Sequence, residues 1–366
     1  MEMIEILRTA VKQGASDVHL LIGRPPMTRL NGEMMELAGF EALTAEESKR
    51  VIYSILYDEQ KQNFEEKLEL DCSFAISGLA RFRVNVLLQM NGIECVIRVI
   101  SSKIPTPDEI KLAPAVLELA NLPRGLVLVT GATGHGKSTT LACLIELINQ
   151  ARRQHILTIE DPIEFVYDPK RCVIRQREVG ASTHSFQDAL KHALRQDPDV
   201  ILIGEMRDVE TISLALTAAE TGHLCFATLH TTDAAQTVDR IIDVFPPHQQ
   251  QQVRVQLSTV LKGVICQTLL PTADGTGRVA AREVMVVTPA ISNLIREGKT
   301  HMIYNAIDTG SKVGMVPLDR AMADLVNAGT VSFDDAMAKS SDPEKLRDLT
   351  GRSASGRGGG PRAPVY

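Results

Sequence analysis

The feature that most constrains this chain is a glycine-rich run between an apolar segment and a helical one. It consists of Gly131, Ala132, Thr133, Gly134, His135, Gly136, Lys137, Ser138 and Thr139, in the pattern G-x-x-x-x-G-K-S. The apolar run 126–129 precedes it, and residues 141–147 have helical spacing. In a strand–loop–helix context this pattern cradles phosphate on backbone N–H groups and a helix N-terminus. The run therefore predicts a nucleotide triphosphatase rather than a glycine turn that binds nothing.

Two side chains of this loop have specific predicted uses. The ammonium group of Lys137 can reach the β- and γ-phosphates of a nucleotide, and the hydroxyl of Ser138 can ligate magnesium. All nine residues 131–139 are therefore predicted to bind ATP, with Mg²⁺ as the second cofactor.

Composition narrows the class of protein. A chain of 366 residues is long enough for two domains with their own cores. The formal net charge of −6 disfavours a dedicated nucleic-acid binder. No apolar run approaches the roughly 18 residues of a membrane span, and the N-terminus has no signal-peptide character. The six cysteines are scattered without a C-x-x-C pair, which favours a reducing cytoplasm over disulfides or a zinc site.

The pattern along the chain predicts a mixed α/β protein with four parts: an N-terminal α/β domain (1–102), a linker (103–112), a domain with alternating strands and helices (113–349), and a disordered basic tail (350–366). In the first domain, Thr44 and Glu47 are in capping-box register at the start of a helix. Strands are predicted over 81–87 and 94–100, joined through Asn91-Gly92 by a loop longer than two residues. Alternation in the second domain predicts a parallel sheet flanked by helices.

Three successive apolar runs of the second domain end in acidic or imidazole groups. The first ends in Asp161 and Glu164, the second in Glu205, and the third in His230. Because ligands bind at the carboxyl ends of parallel strands, these groups are expected near Lys137. Glu205 is the Walker-B candidate for the metal or the water, and Glu164 or Asp161 is the candidate general base. Asp208 is better explained as a helix cap.

Other candidates remain open between a functional and a structural role. His223 and His230 bracket one strand, and imidazole there could serve catalysis or fix the strand by hydrogen bonds. Arg195 could face phosphate or pair with nearby acids. For Arg83 and Arg98, on the predicted N-terminal strands, the residues alone favour a solvated basic face.

Four segments together resemble the secretion-superfamily ATPases of type II secretion and type IV pili (the GspE/PulE/PilT family). Residues 131–139 match the Walker A motif of that family, and 158–164 resemble its Asp box. Residues 199–208 resemble its atypical Walker B motif, and 221–231 its His box. The resemblance extends from Gly14 to about Leu349, and four boxes in this order and spacing are highly specific.

Within this superfamily the chain most resembles the pilus retraction ATPases. It begins directly at the domain that precedes the catalytic core, and it lacks the four-cysteine insertion of assembly enzymes. It also carries a segment similar to the retraction-specific box, namely Ala290, Ile291, Asn293, Leu294, Ile295, Arg296 and Glu297. Two positions depart from the family pattern: Ser292 stands where arginine is usual, and His135 where serine is usual.

The resemblance implies a PAS-like N-terminal domain, a RecA-like ATPase domain and a ring-shaped homohexamer, with nucleotide between the domains. It implies that Arg83 and Arg98 are directed at the nucleotide, and it strengthens Glu164 as general base. The implied partners are an inner-membrane platform protein (PilC-like) and an accessory PilU-like paralogue, not nucleic acid. The implied location is the cytoplasm, at the face of the inner membrane.

The leading hypothesis is a hexameric motor that hydrolyses ATP to retract type IV pili, as in twitching motility. Residues 304–310 favour it over an accessory retraction ATPase. An assembly ATPase, a regulator that binds ATP without hydrolysis, and a nucleic-acid motor are the other hypotheses. The presence of both Glu164 and Glu205 disfavours the regulator, and the acidic charge disfavours the nucleic-acid motor.

Overall fold

The computed structural model describes residues 2–30, 32–100 and 104–352. Internal packing divides the chain into two units. The first comprises Met1–Lys103 together with Glu164–Val166, and the second comprises Ile104–Ile163 and Tyr167–Tyr366. All but the first three residues of the predicted disordered tail lie outside the described residues.

The first unit has helices on one face of an antiparallel sheet. Its described helices are α1 (Met3–Lys12), α2 (Ala45–Tyr53) and α3 (Asp58–Lys67). Its described strands are β1 (Asp17–Leu20), β2 (Met27–Leu30), β3 (Glu33–Glu36), β4 (Glu69–Ile76), β5 (Ala80–Gln89) and β6 (Gly92–Ile100), in the order β3-β2-β1-β6-β5-β4. Alternate residues of β5 and β6 are buried against the helices, as the period of a half-buried strand requires. The predicted capping box of Thr44 and Glu47 is confirmed at the start of α2.

One local prediction in this unit is wrong. The β5–β6 connection contains only Met90 and Asn91, because Gln89 pairs directly with Gly92. Gly92 has a φ of +135°, a conformation open to a residue without Cβ. The turn is therefore a two-residue hairpin and not the longer loop that the flanking residues indicated.

The second unit contains a mixed sheet with helices packed against it. Its described strands are β7 (Gly125–Thr130), β8 (His155–Glu160), β9 (Val173–Glu178), β10 (Val200–Ile203), β11 (Leu224–Leu229), β12 (Leu261–Pro271) and β13 (Arg278–Val286). Its described helices are α4 (Pro114–Ala120), α5 (Lys137–Ala151), α6 (Phe186–Ala193), α7 (Val209–Glu220), α8 (Ala234–Asp243), α9 (Pro247–Val260), α10 (Pro289–Arg296), α11 (Ile303–Thr309), α12 (Leu318–Asn327), α13 (Phe333–Met337) and α14 (Pro343–Leu349). Short 3₁₀ helices occur at Thr300–Met302 and Ser311–Val313.

The strand order in this sheet is β13-β12-β7-β11-β10-β8-β9. The six strands from β12 to β9 run parallel, which confirms the parallel core predicted from the alternation. The edge strand β13 is antiparallel to β12, which corrects the expectation of a wholly parallel sheet. Only residues 272–277 join these two strands, too few for the crossover that a parallel neighbour needs.

The sheet core fixes the positions of the strand ends. The residues of β7, β10 and β11 are all buried, and alternate residues of these strands share one core with α6, α7, α8 and α9. Because β7, β11, β10 and β8 are parallel neighbours, the segments after their last residues meet at one edge of the sheet. No helix among the described residues is long and apolar enough to cross a membrane.

Candidate nucleotide site

The glycine-rich run folds as a tight loop between β7 and α5. Gly131, Gly134 and Gly136 all have positive φ values, of 137°, 80° and 79°. At Gly131 an added Cβ would lie 2.3 Å from the backbone oxygen of Gln267, so the neighbouring strand leaves no room for a side chain. The loop ends at Gly136, and α5 begins at Lys137 with its first N–H groups at the loop. This geometry suits the binding of an anion.

Lys137 is positioned by the loop itself. Its Nζ donates hydrogen bonds to the carbonyl oxygens of Gly131, at 2.8 Å, and Ala132, at 3.1 Å. Ser138 and Thr139 follow in the first turn of the helix and are half-buried. The ammonium group therefore lies over the start of the loop, where it can exchange carbonyl contacts for phosphate oxygens.

Glu205 lies at the same edge of the sheet, just after β10. The preceding Gly204 allows a close approach between β10 and β8, since an added Cβ there would lie 3.2 Å from the Cα of Glu160. The oxygen of Gly204 accepts a hydrogen bond from the hydroxyl of Thr228 at 2.5 Å. These contacts fix the backbone from which the Glu205 side chain extends.

The carboxylate of Glu205 is held by two cationic or polar neighbours. Its Oε1 is 2.7 Å from Nε2 of His230 and 2.5 Å from Nε of Arg207. The side chain of Glu205 is 20 % exposed. Partial burial raises the pKa of Glu205, but the hydrogen bond from Arg207 and the neighbouring His230 outweigh it, so the pKa lies below its usual value. The geometry therefore favours the ionised carboxylate.

His230 connects Glu205 to the phosphate loop. Its Nδ1 is 3.5 Å from Nζ of Lys137, and its Nε2 faces Glu205. A lysine ammonium can only donate, so Nδ1 is the acceptor in this contact. That assignment leaves the proton on Nε2, where it is donated to the carboxylate. Lys137, His230 and Glu205 thus form one hydrogen-bonded chain at the predicted edge.

A cavity of about 520 Å³ opens beside the hydrogen-bonded residues Glu205 and His230. Its polar lining comes from Thr133 in the loop, Glu205, Arg207, His230, Thr231 and Arg240. Arg207 and Arg240 are exposed cations at a concave surface, an arrangement that attracts anionic ligands.

The two other acids predicted for catalysis have different positions. Asp161 is exposed at the end of β8, and its charge contributes to raising the pKa of Arg207, after the larger effect of Glu205. Glu164 is exposed, and the segment Glu164–Val166 is assigned to the first unit by internal packing. Asp208 is a helix cap, as predicted: its carboxylate accepts from the backbone N–H of Thr211 at 2.9 Å.

His223 lies at the opposite edge of the sheet. It precedes β11, and Leu224 pairs with Gly125 at the start of β7. Six strand residues, roughly 20 Å of chain, separate it from His230. Its Nδ1 lies 2.9 Å from the oxygen of Ala218, at the C-terminal end of α7. Within one chain, the structure therefore does not bring His223 to the phosphate loop.

Each of the predicted arginines is described within its own unit. Arg195 is exposed, and its guanidinium donates to the oxygen of Lys191 on the same helical segment. Arg83 and Arg98 lie directly opposite each other on β5 and β6 of the first unit, with exposed side chains. Arg98 donates to Asp17, at 2.9 Å, whose own side chain is 10 % exposed.

The segment that resembles the retraction box forms α10. Ile291 and Ile295 are fully buried, whereas Asn293, Arg296 and Glu297 are exposed on the other side of the helix. Ser292, which replaces the usual arginine, donates to the oxygen of Ser258 in α9 at 2.7 Å. The substitution thus leaves a short side chain that bonds within the unit.

His135 has a half-buried ring against β12. Its Nδ1 is buried and has no hydrogen-bond partner within the described ranges. Burial lowers the pKa of His135. The polar backbone of Gln267 opposes this effect, and the charges of Lys339, Lys137 and Arg278 add to the lowering. A neutral imidazole is therefore the favoured form in this loop.

Sequence reasoning assigned no role to Arg207, Arg240 or Gln267. Arg207 lies two residues after Glu205, but this spacing alone does not predict that the Arg207 side chain points toward the carboxylate. Gln267 is the single amide between two apolar segments, residues 263–266 and 269–270. Its isolation among apolar residues was the one feature of the sequence that could have indicated a specific role.

Comparison with known proteins gives a consistent result. Residues 2–337 match the family described as type II/IV secretion system protein. The chain is 51 % identical to a type IV pilus retraction ATPase, PilT, of Pseudomonas aeruginosa, over 94 % of this chain and 100 % of the relative. It is 42 % identical to the type IV pilus ATPase PilU of the same organism, over 95 % and 92 %. A crystal structure of the pilus retraction motor PilT with bound ADP superposes with a TM-score of 0.90 at 45 % identity, covering 95 % of this chain and 99 % of the other.

Proposed function

This chain belongs to the type II/IV secretion system protein family, and we propose that it is an ATPase motor that retracts type IV pili. The observation that carries the proposal is the series of hydrogen bonds from Lys137 through His230 to Glu205, beside the phosphate loop. Retraction, rather than another use of ATP, is supported by the resemblance of α10 to the retraction box and by the relatives described above.

In this proposal the loop 131–139 holds the phosphates of ATP on its N–H groups, and Lys137 neutralises the β- and γ-phosphates. Mg²⁺ fits the oxygen donors available, the hydroxyl of Ser138 and the carboxylate of Glu205, since this ion takes few carboxylates and keeps several waters. When bound, it would neutralise charge on the phosphates. Asp161 or Glu164 is the proposed base for the attacking water.

The hydrogen-bonded chain gives His230 a definite task. By accepting from Lys137 and donating to Glu205, it holds the lysine and the carboxylate at a fixed separation. Arg207 holds the other side of the same carboxylate oxygen. Preorganised charges of this kind cost no rearrangement when charge develops on the γ-phosphate.

The proposed architecture is a homohexameric ring with a PAS-like first domain and a RecA-like second domain. Arg83 and Arg98 of the first domain supply positive charge to the nucleotide, in the manner of arginine fingers. The proposed location is the cytoplasmic face of the inner membrane, where the ring acts on a PilC-like platform protein. A PilU-like paralogue is a further proposed partner.

Phosphate release by the purified protein tests the catalytic part of the proposal. We expect Glu205→Gln to lower turnover on the order of 10²-fold or more, as removal of a positioned charge does in other enzymes. Glu210→Gln is the matched control, because Glu210 is an exposed acid on α7 that pairs with Lys191. Equal turnover for wild type and Glu205→Gln would exclude Glu205 from catalysis.

Deletion of the gene tests the direction of the motor. Cells without it should remain piliated but fail to retract their pili. Loss of pili would instead support an assembly ATPase.

The accessory retraction ATPase is the second candidate, because the similarity to PilU also extends over nearly the whole chain. It gains if an intact paralogue alone supports retraction in the deletion strain.

A further inference from the structure

Gln267 is a buried amide directly beside the phosphate loop. It follows Cys266 on β12, and Cys266 pairs with Thr130, the last residue of β7. Gln267 is therefore level with Gly131, where the loop begins. Its residue surface is only 2 % exposed. A buried amide is stable only when its donor and acceptor both have partners.

Both ends of this amide bond to the loop and its helix. Nε2 donates to the backbone oxygen of His135 at 2.6 Å, and Oε1 accepts from the hydroxyl of Thr140 at 2.8 Å. Thr140 lies in the first turn of α5 and is fully buried. One side chain thus ties the middle of the loop to the helix that follows it.

The bond to His135 fixes the direction of a peptide group. In a planar trans peptide the C=O and the following N–H point to opposite sides. Holding the oxygen of His135 toward Gln267 therefore turns the N–H of Gly136 away from Gln267. Gly136 lies against the amide, since an added Cβ there would be 3.3 Å from its Nε2. Phosphate loops bind their anion with N–H groups of this kind.

We propose that Gln267 is a positioning residue that sets the shape of the phosphate loop, and through it the affinity for nucleoside triphosphate. The inference rests on the proposed function of the loop. Gln267 acts through the peptide between His135 and Gly136 and through the first turn of α5.

Gln267→Glu is the most informative variant. It keeps an oxygen for Thr140 but places a second oxygen against the carbonyl of His135. At pH 8 we expect the Kd for a fluorescent ATP analogue to rise roughly tenfold, the order of effect of one lost buried hydrogen bond. ATP turnover at low ATP concentration should fall by a similar factor.

A comparison at pH 6 separates positioning from general damage. A buried carboxyl group protonates more readily, and its O–H can again donate to His135. The ratio of variant to wild-type Kd should therefore be smaller at pH 6 than at pH 8. Neighbouring charged and titratable groups, namely His135, Lys137, Arg278 and Lys339, are present in both proteins. Their own effects on the Kd therefore cancel in the ratio of variant to wild type. Gln252→Glu, an exposed change on α9, is the matched control and should not alter the ratio.

The proposal fails if Gln267→Glu binds the analogue within twofold of wild type at pH 8, or if its defect is equal at both pH values. Should thermal melting show that this variant is unfolded, Thr140→Val removes the other bond with little change of shape. It should weaken binding in the same direction, and unchanged binding would overturn the proposal. Wild-type protein that does not bind ATP at all would instead contradict the proposed function.

Discussion

The two histidines that bracket β11 have different chemical partners. His230 stands between a lysine and a carboxylate, both of which belong to the proposed ATP site. His223 contacts the end of α7 through Ala218 and Thr221. An imidazole at a helix C-terminus satisfies a carbonyl that the helix leaves without an internal partner. The contacts therefore favour different roles for the two histidines: His230 in the proposed ATP site, and His223 at the end of α7.

Alanine substitution of each histidine should show this difference. His230→Ala should lower ATP turnover roughly 10²-fold, because the link between Lys137 and Glu205 is lost. His223→Ala should leave turnover within about threefold of wild type and lower the stability by roughly 1 kcal/mol, the usual cost of a lost cap or hydrogen bond. Phosphate release and thermal melting measure both. Equal loss of turnover in the two variants would assign His223 to the site as well.

At this scale the sequence predicts which residues reach the edge, but not how they contact each other. Glu205 and His230 were predictable, because each follows an apolar run that must be a buried parallel strand. The bonds from Arg207 to Glu205 and from Gln267 to His135 depend on side-chain directions across elements. Those directions come from tertiary packing, which no local pattern contains.

Among the elements, α8 begins on a buried acid of another strand. Glu283 on β13 is 2 % exposed and accepts from the backbone N–H of Ala234, the first residue of α8, at 2.7 Å. Burial raises the pKa of Glu283 to about 7; the bond from Ala234 opposes this, and the charge of Asp233 adds to it. The start of this helix thus depends on a carboxyl group that titrates near neutral pH.

The pKa of Glu283 predicts a pH dependence of stability. Between its usual value of 4.5 and about 7 the folded chain holds a proton that the unfolded chain has lost. The free energy of unfolding therefore falls as pH rises through this window, by roughly 3 kcal/mol. Glu283→Gln cannot ionise, so its melting temperature relative to wild type should rise from pH 5 to pH 8. The side-chain amide of the variant has one acceptor oxygen fewer than the carboxylate of Glu283, but the resulting loss of stability does not vary with pH.

Glu210→Gln is the control for this titration, because Glu210 is exposed on α7. Its melting temperature should follow that of wild type across the same range. A constant difference between Glu283→Gln and wild type from pH 5 to pH 8 would show that Glu283 does not control this dependence.

Element types were predicted better than their connections. The strand that carries the phosphate loop, the cap of Asp208 and the capping box of Thr44 follow from local chemistry. The antiparallel β13 and the two-residue turn at Met90 do not, because strand direction and register are decided by pairing partners distant in sequence.

At the scale of the whole molecule, the first unit presents two arginines that stability alone does not favour. Arg83 and Arg98 are direct cross-strand neighbours with exposed side chains, and like charges in that position are destabilising. Asp17 compensates Arg98. A pair of this kind is suited to an anionic ligand, which agrees with the proposal that both arginines serve the nucleotide of the assembled ring.

A mixing experiment tests whether one subunit completes the site of another. Arg83→Ala and Glu205→Gln should each abolish most ATP turnover. In mixed rings, the intact Glu205 of the first variant can be combined with the intact Arg83 of the second, which restores complete sites only when the two come from different chains. We therefore expect the mixture, after reassembly, to recover a measurable part of the wild-type rate.

Two outcomes would contradict this prediction. A mixture as inactive as its components would place Arg83 and Glu205 of each site on the same chain, or remove Arg83 from the site. Wild-type activity in Arg83→Ala alone would also remove Arg83 from the site. Lys61→Ala, which changes an exposed ion pair on α3 of the same unit, is the control and should keep full activity.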